Sequence, residues 1–213
     1  MDKLTISEVK QIYGEIKKVI DENKDFLIKL DAAMGDGDLG LTMTVGFDAI
    51  VKEINNTSDN DIGNIIAKMG MVMSNVAPST LGTLLATAMM RAGKTVKGFT
   101  EIGLKEIVDM GYAAVDGIKQ RGKSEIGDKT ILDSLYPAVL ELDKAMKDNI
   151  TIDAAFERAL GAAKDGFKKT ESMISKHGRA AYYGEKSIGH PDSGAAVGML
   201  IIEGIYNFFS KNK

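Results

Sequence analysis

The chain has no cysteine, only three prolines among its 213 residues, and no long hydrophobic run. The absence of cysteine excludes disulfides and thiolate metal sites. No apolar run approaches the roughly 20 residues that a membrane span requires. The amino terminus also lacks the apolar stretch of a signal peptide. These absences predict a cytoplasmic protein with no membrane partner.

The charge balance is also unremarkable, with a net charge of −3. Such a small acidic excess argues against a nucleic-acid partner and against a disordered acidic tail. Hydrophobic residues make up 44% of the chain and charged residues 27%, which is typical of a globular protein. The length is too short for two full helical cores, so we expect a single domain over residues 1–213.

Apolar residues recur at the three- and four-residue spacing of amphipathic helices, whereas convincing strand alternation is absent. Thr5 and Glu8 form a capping-box pattern before the first helix. Pro137 lies inside an apolar stripe and predicts a kink or a helix start near it. The pattern predicts an all-α antiparallel up-and-down barrel or bundle of about eight helices. The stretches are Val9–Ile20, Phe47–Ile54, Ile62–Val72, Thr83–Ala92, Glu101–Ile118, Leu132–Met146, Ala155–Phe167 and Val197–Ile205.

Four glycine-rich segments interrupt the helical periodicity, and loops on a rigid scaffold are frequent functional positions. The last of them is long and irregular, mixing fixed charge, aromatic residues and glycine, which in a compact domain usually indicates function. The segments are Asp31–Gly40, Ser74–Gly82, Arg121–Thr130 and Gly178–Gly194.

The first segment carries three aspartates, Asp31, Asp36 and Asp38, with no lysine or arginine to offset them. Carboxylates packed together resist ionisation, and a hard cation with oxygen ligands removes that difficulty. A helix is predicted to begin after Gly40, and its free N–H groups favour a phosphate. Acids that bind metal beside such a helix start indicate a site for a magnesium–nucleotide complex.

Two other interpretations of this segment are a calcium-binding loop and a simple turn. An EF-hand loop starting at Asp31 requires glutamate at its twelfth position, where the chain has Thr42, so calcium binding of that type is excluded. The remaining alternative is that aspartate and glycine simply form a turn and a helix cap. The extra aspartate and the helix that follows favour the metal site, and the residues alone leave both interpretations open.

The other segments leave alternatives open. Arg179 either holds phosphate oxygens as a bidentate donor or makes a surface ion pair. Ser79 and Thr80 either cap the helix that follows or contact phosphate. Asp128 is positioned to cap the next helix. With only two histidines and no cysteine, a mechanism that pairs a nucleophile with histidine has little support.

Taken together, the segments resemble one family over nearly the whole chain. Leu30–Gly40, Arg121–Thr130 and Gly178–Gly194 resemble the L subunit of bacterial dihydroxyacetone kinase, or the equivalent carboxy-terminal domain of single-chain versions. The resemblance implies a barrel of eight antiparallel helices with ADP or ATP across one rim. It also implies two Mg²⁺ ions, held by Asp31, Asp36 and Asp38, that bridge the phosphates.

The resemblance further implies which residues contact the nucleotide and which are catalytic. The catalytic set is Asp31, Asp36, Asp38 and Arg179. The nucleotide contacts are Leu39, Gly40, Leu41, Thr42, Ser79, Thr80, Gly122, Ile131, Arg179, Asp192, Ser193 and Gly194.

Three departures from the family pattern mark a divergent branch. Leu39 stands where the family usually has histidine, and Thr42 where it usually has asparagine. The short stretch 77–82 replaces a glycine-rich phosphate loop, and Ser79 and Thr80 are the residues available there to take over its contacts.

The function that the resemblance implies is a phosphotransferase subunit that passes phosphate to a short ketose held on a separate K subunit. The donor is either exchanging ATP or resident ADP recharged by a phosphorelay M subunit fed by phosphoenolpyruvate. Alternatives are the nucleotide-binding domain of a system like fatty-acid kinase and a non-enzymatic nucleotide-sensing regulator. The sequence leaves open whether the chain forms a homodimer.

Overall fold

The computed structural model describes residues 2–211, in which the chain is almost entirely helical. Two three-residue strands, β1 and β2, and two 3-10 segments accompany the α-helices. The strands are Lys3–Thr5 (β1) and Glu101–Gly103 (β2), and the 3-10 segments are Thr170–Ser172 and Arg179–Ser187. The α-helices are Ile6–Glu22 (α1), Lys24–Ala32 (α2), Leu39–Asn56 (α3), Ile62–Val76 (α4), Thr80–Thr95 (α5), Leu104–Gly122 (α6), Leu132–Lys147 (α7), Ile152–Lys169 (α8) and Ser193–Lys211 (α9).

Eight of these helices form a closed ring. Helix α1 packs on α3, each helix from α3 to α8 packs on the next one, and α9 returns to pack on α1. The short helix α2 lies against α3 and α9. Because each amphipathic helix buries its apolar stripe against its neighbours, closing the ring removes the last unpaired helix face. The all-α antiparallel architecture predicted from the sequence is therefore confirmed.

The predicted apolar stripes form the core of the ring. Ile20, Ile50, Ile65 and Ile118 lie in different helices, and each is at most 1% exposed. Where α4 crosses α5 the backbones touch, because a β-carbon added at Gly93 would lie only 2.5 Å from the carbonyl oxygen of Gly63. Small residues at such crossings let two helices approach closely, which is how a ring of short helices achieves dense packing.

The second strand corrects one prediction. Glu101–Gly103 does not belong to a helix but pairs antiparallel with Lys3–Thr5, and α6 begins at Leu104. Leu4 and Ile102 are each 3% exposed, so the ribbon buries an apolar pair that a longer helix would leave apart. The Glu106 carboxylate accepts a hydrogen bond from the Gly103 N–H and caps the start of α6.

Two further expectations change in detail. The helix start expected near Pro137 lies at Leu132, and α7 continues through the proline. Proline has no N–H for the carbonyl of Asp133, and the Cα of Gly166 from α8 packs against that carbonyl instead. The segment Gly178–Gly194 is not irregular throughout, since residues 179–187 form 3-10 turns around a non-helical Gly184.

The ring order explains why the glycine-rich segments meet. In an up-and-down ring, alternate connections lie at the same end. The connections that follow α2, α4, α6 and α8 are the four segments that interrupt the sequence pattern. They therefore form one rim, and the β1–β2 ribbon lies at the other. Within residues 2–211, no helix has the length and apolar character needed to cross a membrane.

Candidate functional site

A cleft of about 910 Å³ opens on the rim formed by the four connections. Residues from every one of them line it. Gly40, Leu41 and Thr42 are the predicted site residues that the cleft lining does not include. The predicted residues that do line it are Asp31, Asp36, Asp38, Leu39, Ser79, Thr80, Gly122, Ile131, Arg179, Asp192, Ser193 and Gly194.

The three aspartates converge at one side of the cleft. Asp31 is in the last turn of α2, and the other two follow in the short connection to α3. The turn is held by Asp31 itself, whose Oδ2 accepts the Gly37 N–H at 2.9 Å, and Gly37 has a positive φ of 74°. One carboxylate oxygen from each aspartate lies within 4.8 Å of the other two. This spacing allows all three carboxylates to reach a shared cation.

The electrostatics of the cluster fit a cation. Loss of water contact, followed by repulsion from Asp36 and Asp31, raises the pKa of Asp38 above its ordinary value, and the Arg179 charge opposes this rise. The guanidinium of Arg179 lies 2.6 Å from Oδ2 of Asp36. One arginine against three carboxylates leaves excess negative charge, and oxygen ligands of this kind suit Mg²⁺. The residues present therefore fit the metal that the family implies.

Helix α3 begins beside this cluster, at Leu39, slightly earlier than the sequence predicted. The first-turn N–H groups of an α-helix have no intrahelical partner, and the Asp38 side chain does not cap them. They remain available to an anion. Gly40 packs against the backbone of Lys24 and has no room for a side chain. The Thr42 N–H already bonds to the Asp38 carbonyl at 2.9 Å.

Ser79 caps α5, since its Oγ accepts the Gly82 N–H at 3.0 Å. Thr80 is the exposed first residue of that helix. Both residues line the cleft, and the cap is compatible with a ligand contact because the hydroxyl hydrogen of Ser79 stays free.

Asp128 does not cap α7, contrary to the sequence prediction. That helix begins at Leu132, too far along the chain for Asp128 to reach its first N–H groups. Asp133 ties down the approach to the helix instead, by accepting the Gly127 and Thr130 N–H groups at 2.6 and 2.8 Å. This turn holds Ile131 against the cleft, next to Gly194.

The start of α9 completes the site. Oδ2 of Asp192 accepts the Ala195 N–H at 2.7 Å, and the Ser193 hydroxyl donates to Oδ1 of Asp31 at 3.0 Å. Burial raises the pKa of Asp192 to about 7, with a further contribution from the charge of Asp133. The last connection is therefore joined directly to the carboxylate cluster.

Several cleft residues were missed by sequence reasoning. Lys129, Ser175 and His177 line the cleft, although the sequence suggested no ligand role for them. Lys129 stood in a recognised motif, but its side-chain direction depends on a positive φ of 63° that lysine rarely adopts. Tyr182, one of the aromatic residues of the last glycine-rich segment, is 93% exposed.

Comparison with known proteins establishes the class of the chain. Residues 33–207 match the DAK2 domain. The chain belongs to this domain family, as the resemblance in its sequence implied.

Two similar proteins are described as subunits of a dihydroxyacetone kinase. The chain is 34% identical to the ADP-binding subunit DhaL of the PEP-dependent dihydroxyacetone kinase of Escherichia coli, over 87% of this chain and 88% of that one. It is 32% identical to the corresponding subunit of dihydroxyacetone kinase 2 of Listeria innocua, over 99% and 97% of the two chains.

A solved structure shares the fold. The dihydroxyacetone kinase of C. freundii, described as a complex with AMP-PNP and Mg²⁺, superposes with a TM-score of 0.71 at 22% identity. The match covers 93% of this chain and 33% of that one, so the chain corresponds to about a third of the longer kinase. At this identity the likeness shows the fold alone.

Proposed function

We propose that the rim cleft binds ADP or ATP with Mg²⁺, and that the chain is the nucleotide-binding subunit of a dihydroxyacetone-kinase-type phosphotransferase. The observation that carries the proposal is the convergence of the Asp31, Asp36 and Asp38 carboxylates at one side of a cleft that also contains a free helix start and Arg179. The acceptor is dihydroxyacetone or a similar short ketose held on a separate K subunit.

The relatives support this proposal. The Escherichia coli and Listeria innocua proteins are described as ADP-binding subunits of a PEP-dependent kinase, and the match extends over most of each chain. A Lactococcus lactis relative, 30% identical, is described as PTS-dependent. These descriptions favour resident ADP that a phosphorelay M subunit recharges. The rate at which bound ADP dissociates from the purified chain separates this scheme from free exchange with ATP.

Each part of the cleft has a distinct task in phosphoryl transfer, in which a protein mainly positions groups and stabilises charge. The three aspartates hold Mg²⁺, two ions by family resemblance, and bound Mg²⁺ supplies the positive charge that the transferred phosphate requires. Arg179 adds a fixed positive charge with bidentate geometry. The N–H groups at the start of α3 orient phosphate oxygens. Ile131 and Gly122 also line the cleft, and the family resemblance assigns them to the nucleoside.

Isothermal titration calorimetry with ADP and Mg²⁺ tests the proposal. Asp36→Ala should abolish Mg-dependent ADP binding while helix content by circular dichroism stays unchanged. Asp109→Ala is the matched control, because Asp109 is also an exposed carboxylate paired with one basic residue, Lys105, but it lies outside the cleft. Unchanged affinity in Asp36→Ala would refute the metal-binding role.

A second measurement separates an enzyme subunit from a nucleotide-sensing regulator. With a K subunit and a phosphate donor present, the chain should support phosphorylation of dihydroxyacetone or another short ketose. Binding of nucleotide without any such phosphorylation, in the presence of a competent K subunit, would favour the regulator.

A further inference from the structure

Lys129 is the most unusual charged residue near the cleft. It lies in the connection between α6 and α7, is 4% exposed and has a positive φ of 63°. Burial lowers the pKa of its ammonium group, and the charges of Asp192 and Glu171 oppose this. A buried ammonium is costly unless its N–H groups are satisfied. The contacts of its Nζ atom therefore show which part of the chain the buried ammonium group stabilises.

The ammonium group bonds two backbone carbonyls in the connection between α8 and α9. Nζ of Lys129 donates to the carbonyl of Met173 at 3.1 Å and to that of Ser187 at 2.5 Å. Within residues 2–211 no carboxylate forms an ion pair with it. Met173 and Ser187 are the two ends of segment 173–187, so the Lys129 side chain holds both ends of this segment together.

Neighbouring bonds close the same junction. The Ser175 N–H donates to Oγ of Ser187 at 2.9 Å, and that hydroxyl donates to the Gly184 carbonyl at 2.6 Å. Asp128, the residue before Lys129, accepts Nζ of Lys176 at 2.7 Å, and Nε2 of His177 lies 3.1 Å from its other oxygen. The connection between α6 and α7 thus bonds to residues near both ends of segment 173–187.

Arg179 lies within segment 173–187, so the position of this segment sets the position of Arg179. Its guanidinium reaches Asp36 at 2.6 Å, yet its side chain is 68% exposed, so packing does little to fix it. The backbone that bears it is a 3-10 stretch interrupted at Gly184, and 3-10 hydrogen bonds have poorer geometry than those of an α-helix. The position of Arg179 beside the Asp36 carboxylate is therefore set by the bonds at the two ends of segment 173–187.

We propose that Lys129 is a positioning residue. Its bonds to the Met173 and Ser187 carbonyls fix the conformation of segment 173–187, so that Arg179 contacts the phosphates of the bound nucleotide. The proposal rests on the proposed nucleotide-binding function. Lys129 acts through Arg179, which predicts a specific energetic coupling between the two residues.

A double-mutant cycle on ADP affinity in the presence of Mg²⁺ measures that coupling. Lys129→Met should weaken binding about tenfold, the equivalent of losing one hydrogen bond to a charged group. In the Arg179→Ala background the same substitution should change affinity less than about threefold, because Arg179 is the residue it positions. Equal effects in both backgrounds would overturn the proposal, as would wild-type affinity in Lys129→Met.

Lys123→Met is the matched control. Lys123 lies in the same connection, also has a positive φ, of 51°, but is exposed and does not line the cleft. It removes the same charge and should leave ADP affinity unchanged. If Lys129→Met does not fold, Lys129→Gln serves in the same cycle and should show the same non-additivity, because the Gln side chain is one bond shorter and cannot reach both carbonyls.

Hydrogen exchange tests the bonds of Lys129 to segment 173–187 without nucleotide. Amides of residues 174–187 should exchange faster in Lys129→Met or Lys129→Gln than in wild type. In Lys123→Met their exchange rates should equal those of wild type. Wild-type exchange rates in the Lys129 variants would overturn the positioning role even if ADP binds. If wild type binds no ADP, the proposed function fails together with the positioning role, whereas wild-type binding with additive substitutions makes the positioning role alone fail.

Discussion

The hydroxyl of Ser193 donates a hydrogen bond to Oδ1 of Asp31 at 3.0 Å, although 162 residues separate them in the chain. The bond joins the first residue of α9 to the last turn of α2. The other oxygen of Asp31 accepts the Gly37 N–H, so both oxygens of this carboxylate are oriented. Asp31 is thus the fixed member of the aspartate cluster, while Asp36 and Asp38 are exposed.

Ser193→Ala should therefore weaken the binding of ADP with Mg²⁺ without unfolding the chain. Loss of a group that orients a metal ligand typically costs about 10-fold or more in metal affinity. Calorimetry measures the effect. Ser172→Ala is the control, since Ser172 lies in the connection that leads to Ser193 but is exposed, and within residues 2–211 its hydroxyl bonds the Lys169 carbonyl alone. Equal affinity of the two variants would contradict the orienting role.

Asp38→Asn should separate stability from metal binding. Burial, followed by repulsion within the cluster, raises the pKa of Asp38, so removing this charge should leave the Tm in EDTA unchanged or higher. At 100 times Kd, Mg²⁺ with ADP adds about 2.7 kcal/mol to the stability of the wild type. The variant should lose most of this gain in a thermal melt. A lower Tm in EDTA together with a normal ligand-induced gain would contradict the prediction.

Asp128→Asn should reduce stability in a pH-dependent way. Hydrogen bonds from Lys176 and the Glu125 N–H lower the pKa of Asp128 from its ordinary 3.8 to about 2. A depressed pKa stabilises the fold above about pH 4, and this stabilisation disappears as pH falls toward 2. Because Lys176 is exposed, we expect a loss of about 1–2 kcal/mol at pH 7.

Urea unfolding at several pH values measures this difference. The gap between wild type and Asp128→Asn should be widest near neutral pH and narrow between pH 4 and 2.5. Asp148→Asn is the control, because Asp148 is largely exposed and forms a long surface pair with Arg158. A gap that stays constant with pH would show that the ionised carboxylate of Asp128 is not the source.

Gly63→Ala should destabilise the ring where α4 crosses α5. The added β-carbon overlaps the carbonyl oxygen of Gly93, and backbone cannot move aside as a flexible side chain can. Overpacking of this kind costs about 1–3 kcal/mol, occasionally more. Gly161→Ala is the opposite case, since nothing lies within 4 Å of the added carbon in α8. It should stabilise by about 0.5–1 kcal/mol. Thermal melts of both variants test the contrast.

Much of the fold could be predicted because helical periodicity is a local property. The stripes from Val9 to Ile20 and from Ile62 to Val72 lie in α1 and α4, and the capping-box glutamate accepts the Thr5 N–H as expected. The ribbon of β1 and β2 was missed because each strand has three residues, too few for an alternating pattern. Asp128 was assigned the wrong partner for a related reason, since its bonds to Lys176 and His177 join distant segments.

The sequence by itself determined the helices, the family and the cluster of acids near the amino end, because periodicity, motifs and local charge act over a few residues. Only the tertiary structure decided what faces that cluster. The ring brings alternate connections to one rim, which sets Ser193 beside Asp31 and Arg179 beside Asp36. The direction of the Lys129 side chain follows from a left-handed backbone that packing stabilises, and no local pattern announces it.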